Sequence, residues 1–361
     1  MKSNIIFSDK ELRMNTVNAY AALKAKDPLK PFQVQRRDPG PHDVVIEIQY
    51  CGICHSDVHQ ARDEWSGAMF PMVPGHEIAG LVSKVGSSVT LFKVGDKVGV
   101  GCFVDSCRTC SPCKQGEEQY CEKEANFTYN GREKNGMPTF GGYSTQIVVD
   151  ENYILKIPDN IPLEKVAPLM CAGITTYSPL HHWNIKPKDK VAIVGLGGLG
   201  HMAVKIAVAM GAEVSVLSRS DSKKADALRF GAKHFINTSN EKVFSDYANY
   251  FDFMINTAAG STKLDQYLSL LKLDGTMVVV GVPEHPSPLS SSSLIMKRRR
   301  LAGSLIGGIK ETQEMLDFCG KHNIAADIEL IPIEKVNEAY DRIVKGDVKY
   351  RFVIDIKSLK K

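Results

Sequence analysis

An excess of either charge is missing from this sequence: 45 Lys and Arg stand against 41 Asp and Glu, a formal net charge of +4 over 361 residues. A nucleic-acid binder gathers a larger basic surplus on one face, so no polyanionic partner is expected. Long apolar runs are missing as well. The longest stretch free of Lys, Arg, Asp and Glu, residues 166–185, is broken by proline and glycine and carries Thr175, Thr176, Ser178, His181 and His182. Such a stretch does not suit a bilayer span. The N-terminus lacks the basic start, apolar core and small-residue cleavage site of a secretory leader. An even cysteine count is absent too, and nine cysteines cannot complete a disulfide framework. These absences together lead to the expectation of a cytoplasmic protein with neither a nucleic acid nor a membrane as partner.

What is present suits two cores, since 361 residues exceed what one small domain needs. The first third reads as short strands divided by glycine and aspartate turns, with a β-branched run at Val44, Val45, Ile46 and Ile48 and further strands near 77–85 and 97–100. Near Pro168 the texture changes. Apolar strands are expected at 191–194, 213–217, 234–236, 252–256, 276–281 and 301–306, with helical spacing between them, as at 201–210 and 221–230. Six strands with crossovers are what a doubly wound parallel sheet requires. Residues 283–293 read as an exposed loop, and the tail reads as helices near 311–319 and 333–344 and a last strand near 350–356 that returns to the first domain.

Four cysteines crowd into one short segment, Cys107, Cys110, Cys113 and Cys121. Zinc takes four soft ligands in a tetrahedron, and such a loop supplies them without distant chain closure. A site closed by four thiolates has no open position, so its role is structural. A second set is scattered: Cys54, His76 and Cys171. Two thiolates and an imidazole would leave one position free for substrate, the pattern of a catalytic zinc. Spacing alone leaves open the other reading, two buried cysteines and a structural histidine. Gly195-x-Gly197-x-x-Gly200 follows an expected strand and opens an expected helix, the context in which glycines let the backbone approach a pyrophosphate at the helix N-terminus. About twenty residues on, where an NAD site carries an acid, stands Ser218. Ser218, Arg219, Ser220 and Lys224 would hold a 2′-phosphate, which points to NADP; the competing reading makes Asp221 a ribose ligand. The run Lys297 to Arg300 precedes a strand and reads as solvated surface.

Together these blocks resemble the zinc-containing medium-chain dehydrogenase/reductase superfamily, in its cinnamyl-alcohol-dehydrogenase-like branch. Its carriers are Gly52 to Asp57, Pro74-Gly75-His76-Glu77, the Cys107–Cys121 lobe, Cys171 to Tyr177, Gly195 to Gly200, and Tyr350-Arg351-Phe352-Val353. The resemblance implies a GroES-like, β-rich catalytic domain (1–167, with the zinc lobe at 102–122), an inserted Rossmann domain (168–308) and a C-terminal return (309–361). It implies two zinc ions per chain and NADP(H). Catalytic zinc would be held by Cys54, His76 and Cys171, with Glu77 as a nearby or transient fourth ligand and Asp57 orienting His76. Ser56 would touch the substrate oxygen, and His59 would pass the proton to solvent. Gly195, Gly197, Gly198, Leu199 and Gly200 would take the pyrophosphate, with His55, Thr175 and Arg351 close to the cofactor.

The implied activity is interconversion of primary alcohols and aldehydes, by a homodimer joined along the outer Rossmann strand. Two pocket positions depart from the plant lignin-forming members: Asn126 stands where they carry tryptophan, and Leu305 where phenylalanine is frequent. A broad aldehyde reductase is therefore expected, with Trp65 as an aromatic wall. Cys51, Cys102 and Cys319 receive no zinc role. A zinc-free quinone reductase would lack both cysteine sets, and a non-enzymatic regulator would be signalled by loss of Ser56 or a ligand; neither loss is present.

Overall fold

The computed structural model describes residues 14–258, 260, 263–283 and 286–360. Part of the N-terminal extension and of the loop expected at 283–293 lies outside these residues. Two sheets organise the chain. The larger, of seven strands, is built on the strand Asp43–Gly52, which pairs antiparallel with Ile78–Val85 and with Gln146–Asp150. Val44, Ile46 and Ile48 on one face are sealed from solvent and Val45 on the other is buried too, as a strand covered on both faces demands. The tail does return: Arg351–Asp355 pairs antiparallel with Asp43–Gly52, setting Val353 opposite Gly52 and Ile354 opposite Cys51.

The other sheet has six parallel strands, in the spatial order His234–Asn237, Glu213–Ser218, Lys190–Val194, Phe251–Asn256, Leu271–Val279 and Arg300–Gly303. This is the doubly wound Rossmann order, whose ligand crevice opens where the connections reverse direction, at the ends of Lys190–Val194 and Phe251–Asn256. Val191, Ala192, Ile193 and Val194 are all buried, each large side chain adding about 1.5–3 kcal/mol by leaving water. The fold is therefore a GroES-like β domain with a Rossmann sheet, as expected. The last strand is shorter than the sequence suggests. It ends at Gly303 because the chain turns to the cysteine lobe: the Leu305 amide donates to the Tyr120 hydroxyl at 3.1 Å, and the Ile309 amide to Glu118 at 3.1 Å. No helix of the described residues is long and apolar enough to cross a membrane.

His201, in the helix Gly198–Ala209, is completely buried. Its ring stacks on Tyr350 at 5.2 Å, and its Nδ1 lies 2.8 Å from the Gly198 carbonyl. Burial, helped by the charge of Lys205, pushes its pKa down to about 3, so the folded protein holds a neutral ring. The unfolded chain binds a proton to it below about pH 6.5. Folding stability from this residue is thus whole above that pH and drains away as pH falls toward 3. In His201→Gln, the slope of urea-unfolding stability against pH should flatten in that window by up to about 1.4 kcal/mol per pH unit. An unchanged slope would refute the assignment.

Candidate active site and metal centres

The cysteine lobe is a local construction. Cys110 opens the short helix Ser111–Gln115, which Gly116 ends in a left-handed conformation. The sulfurs of Cys107 and Cys113 are 3.9 Å apart, those of Cys110 and Cys113 3.3 Å, and those of Cys110 and Cys121 3.9 Å. Four thiolates at about 2.3 Å from one zinc would stand about 3.8 Å from each other, so this cage has the size of a zinc tetrahedron. Backbone amides already point at the sulfurs: Thr109 and Cys110 donate to Cys107 at 3.5 and 3.3 Å, and Cys107 to Cys121 at 3.4 Å. The Thr109 amide and hydroxyl lead in bringing the Cys107 thiol down to about 5, the ionised form a metal takes.

The scattered set converges as well. Ligand atoms of Cys54, His76, Glu77 and Cys171 all lie within 4.8 Å of one another, and all four residues are buried. Cys54 stands at the N-cap of the helix His55–Ala61, and Cys171 at the N-cap of Ala172–His182; their sulfurs are 3.9 Å apart. The hydrogen bond between them brings the Cys54 thiol well below its usual range despite burial. Asp57, sealed from solvent, fixes this corner. It accepts the amides of Cys54 at 2.8 Å and Gly75 at 3.1 Å and the Tyr143 hydroxyl at 3.3 Å, and its Oδ1 lies 3.2 Å from His76 Nδ1. That leaves Nε2 of His76 for a metal.

Glu77 is held against the set by its ion pair with Arg351, one side chain wholly buried and the other nearly so. Burial raises its carboxyl to about 7 in spite of Arg351, and its Oε2 has no hydrogen-bond partner among the described residues. An orphaned carboxylate oxygen beside two sulfurs and an imidazole is what a bound cation would satisfy, so the donors fit a zinc ion. Gly52 is required here, since any Cβ would collide with the Glu77 carboxylate.

Ser56 and His59 share the helix His55–Ala61. Ser56 Oγ is 3.6 Å from Cys54 Sγ, facing the metal set. His59 lies further along the helix, stacked between His55 at 5.0 Å and Trp65 at 4.8 Å, with Nδ1 2.5 Å from Glu64. No direct hydrogen bond joins Ser56 to His59 among the described residues, so a relay between them needs a further group. The Glu64 partner is illegible in sequence, because a turn beyond the helix end brings it back.

At the crevice of the parallel sheet, Gly195 is left-handed, and Gly200 abuts the Gly195 carbonyl so closely that no Cβ fits. Gly197 caps the helix Gly198–Ala209 with open space beside it, and Leu199 follows in the first turn, half-buried. Arg351 lies against Gly198: a Cβ there would be 2.8 Å from its Nη1. The same guanidinium therefore touches both Glu77 and the fingerprint. Thr175 is buried one turn beyond Cys171, its amide donating to the Cys171 carbonyl at 2.9 Å. Ser218 ends its strand, while Arg219, Ser220 and Lys224 are exposed beyond it. Asp221 is engaged by the Asn237 side chain at 2.9 Å, which weakens its case as the ribose ligand. Residues the motif reading misses are Thr257, whose hydroxyl donates to the Val194 carbonyl at 2.8 Å at the crevice, and Tyr143 behind Asp57.

Comparison with known proteins agrees with this geometry. The family model for the alcohol dehydrogenase GroES-like domain matches residues 40–159, and that for zinc-binding dehydrogenase matches residues 198–321. The NADP-dependent alcohol dehydrogenase C of Mycobacterium bovis is 56% identical, the match covering 96% of this chain and 100% of that protein. An aldehyde reductase of Escherichia coli is 53% identical over 95% of this chain and 99% of its own. The structure of a cinnamyl alcohol dehydrogenase from Sorghum bicolor superposes with a TM-score of 0.93 at 44% identity, covering 95% of this chain and 98% of that one.

Proposed function

Because the chain belongs to the zinc-containing medium-chain dehydrogenase/reductase superfamily, in its cinnamyl-alcohol-dehydrogenase-like branch, we propose that it is an NADP-dependent zinc alcohol dehydrogenase that works as a broad aldehyde reductase. The observation that carries the reading is the convergence of Cys54, His76, Glu77 and Cys171 from separate stretches of chain into one buried set. Residues 1–167 and 309–361 form the catalytic unit and 168–308 the cofactor unit. Cys54, His76 and Cys171 hold the catalytic zinc, with Glu77 in reserve, and Cys107, Cys110, Cys113 and Cys121 hold the structural one. When bound, the catalytic zinc supplies Lewis-acid polarisation of an aldehyde oxygen, and the nicotinamide supplies the hydride.

The chain's own residues do the rest. Asp57 keeps the His76 ring in one tautomer and orientation. Ser56 donates its hydroxyl proton to the substrate oxygen as negative charge grows there. A neutral hydroxyl needs a titrating partner to recover that proton, and His59 provides it at the solvent edge, oriented by Glu64. Gly197, Gly198, Leu199 and Gly200 offer backbone amides to the pyrophosphate, with Arg351 adding charge, while Gly195, whose own amide is taken by the Leu217 carbonyl at 2.8 Å, makes the left-handed turn that presents them. His55 stands with Arg351 toward the pyrophosphate, and Thr175 also borders the cofactor. Trp65, 40% exposed and stacked on His59, walls the substrate entrance. Replacing Trp65 with alanine should lower activity on benzaldehyde more than on butanal; equal losses would sink that role.

Ser218, Arg219, Ser220 and Lys224 take the 2′-phosphate. A charge-assisted hydrogen bond contributes about 1.5–3 kcal/mol, so Arg219→Ala should raise KM for NADPH about 10- to 100-fold and leave NADH nearly untouched. The test of the whole reading is oxidation of NADPH against NADH with a panel of small aldehydes. Rapid, NADPH-specific turnover supports it. A preference for NADH would overturn the phosphate assignment, and no turnover at full zinc occupancy would overturn the enzyme. Thiolate-rich sites suit a reducing cytoplasm. The homodimer forms along Arg300–Gly303, the edge of the parallel sheet. Light scattering that shows a monomer would refute the dimer.

A further inference from the structure

Asp57 is a carboxylate with no access to water, and its ion-pair partner among the described residues is His76, the residue it orients. Burying such a group is costly unless its lone pairs find donors. Its Oδ1 takes the Gly75 amide at 3.1 Å and faces His76 Nδ1 at 3.2 Å. Its Oδ2 takes the Cys54 amide at 2.8 Å and the Tyr143 hydroxyl at 3.3 Å. Cys54, Gly75 and His76 belong to the metal set or adjoin it. Tyr143 is the outsider. It comes from the segment that leads into the strand Gln146–Asp150, and it is sealed from solvent. Its hydroxyl in turn accepts from the hydroxyl of Tyr340 at 3.5 Å. Tyr340 is also buried, in the helix Val336–Val344 of the C-terminal return. The donors therefore run one way, from Tyr340 to Tyr143 to Asp57.

Tyr143 also grips the turn that carries His76. Its amide donates to the Pro74 carbonyl at 3.0 Å, and the neighbouring Gly142 amide donates to the Gly75 carbonyl at 2.8 Å. Gly75 is left-handed and lies so near the Tyr143 ring that a Cβ there would stand 2.7 Å from it. We infer that Tyr143, backed by Tyr340, is a positioning residue for the catalytic metal. Its hydroxyl holds the Asp57 carboxylate in the orientation that keeps His76 Nδ1 engaged and Nε2 turned to the ion. Without that hydroxyl, Oδ2 keeps one donor, the Cys54 amide, and a buried carboxylate short of a donor is free to rotate. Rotation loosens the His76 ring, and His76 supplies the one nitrogen among the sulfurs of Cys54 and Cys171 and the carboxylate of Glu77. Losing a group that orients a metal-bound histidine costs about 10- to 100-fold in metal affinity. Tyr143 stands one hydrogen bond further out, so the low end of that range applies.

The inference rests on the zinc reading of Cys54, His76 and Cys171. The experiment mixes the purified holoenzyme with excess chromogenic chelator and times the release of each zinc ion. Cys54→Ala, expected to keep the ion of the cysteine lobe alone, gives the lobe's own rate. Tyr143→Phe should release the catalytic ion about tenfold faster than the parent and the lobe ion at an unchanged rate. A role in packing alone would not separate the two ions, since phenylalanine keeps the ring against Gly75 and a weaker fold would hasten both. Tyr340→Phe should show a smaller acceleration. The double variant should be no faster than Tyr143→Phe, because Tyr340 acts through Tyr143. Accelerations that multiply in the double variant would overturn the part given to Tyr340. Release of the catalytic ion at the parent rate from Tyr143→Phe, or equal hastening of both ions, would overturn the inference and leave the metal reading standing. Should Tyr143→Phe fail to fold, Tyr340→Phe carries the test alone, and an unchanged catalytic-ion rate there has the same force. A parent that yields only the lobe ion would overturn the metal reading and this inference with it.

Discussion

Cys54→Ala is expected to purify as a folded protein with about one zinc per chain in place of about two, and with kcat/KM for aldehyde reduction lowered by about three orders of magnitude or more. The fall follows from the mechanism. Polarising a carbonyl oxygen is worth several kcal/mol at the transition state, and each 1.36 kcal/mol is about tenfold in rate. The fold should survive because Cys54 contributes little else. The hydrogen bond from its backbone amide to Asp57 does not involve the sulfur, and alanine fits the same buried space. The cysteine lobe is assembled from residues 107–121 alone and should keep its ion. Metal analysis and steady-state kinetics on one preparation decide the matter. Retention of both ions with activity lost would show that Cys54 serves the reaction without holding metal. Loss of both ions would mean that the lobe and the catalytic set are not independent.

The cysteine lobe and the glycine fingerprint are legible in sequence because each is local. Four sulfurs within one short segment meet whatever the rest of the chain does, and the glycines act on the turn in which they stand. The sheet order follows from apolar strands alternating with helical spacing, and the six strands form in the positions expected, to within a few residues. Their ends are harder, since Gly303 ends the last strand only because Tyr120 and Glu118, remote in sequence, claim the amides that follow. The catalytic set is legible only through resemblance. Cys54, His76 and Cys171 meet because the strand Asp43–Gly52 and two helix N-termini are packed together by the whole β domain, and no periodicity encodes that meeting. Asp57 is readable as a partner of His76, whereas Tyr143 is not. Its sequence neighbourhood carries no motif, and only the folded sheet brings its hydroxyl to Asp57.

The same limit hides what Arg351 does, and its replacement should have the largest effect on stability. Arg351 lies in the strand Arg351–Asp355, among Phe352, Val353 and Ile354, all sealed from water. A cation in such a strand needs a partner, and it has Glu77, itself sealed. Burial alone would lower the Arg351 pKa; the charges of Glu77 and Cys54 hold it above the ordinary arginine value. Breaking a buried pair by removing one partner costs about 3–5 kcal/mol, because the remaining charge is left uncompensated. Arg351→Met should therefore lower unfolding stability by about that amount in urea titrations. Glu77→Gln combined with Arg351→Met should recover much of it, since a neutral amide tolerates the apolar neighbour better than a carboxylate does. If the double variant is no more stable than the single one, the pair is not what Arg351 contributes, and its contact with Gly198 at the fingerprint must carry the loss instead. The metal gives a second handle. A cation beside Glu77 would offset the carboxylate that Arg351 leaves behind, so zinc-loaded Arg351→Met should lose less stability than the same variant after chelation, relative to the parent treated alike. An equal loss in the two forms would place Glu77 outside the reach of the metal, and the catalytic set would then consist of Cys54, His76 and Cys171 alone.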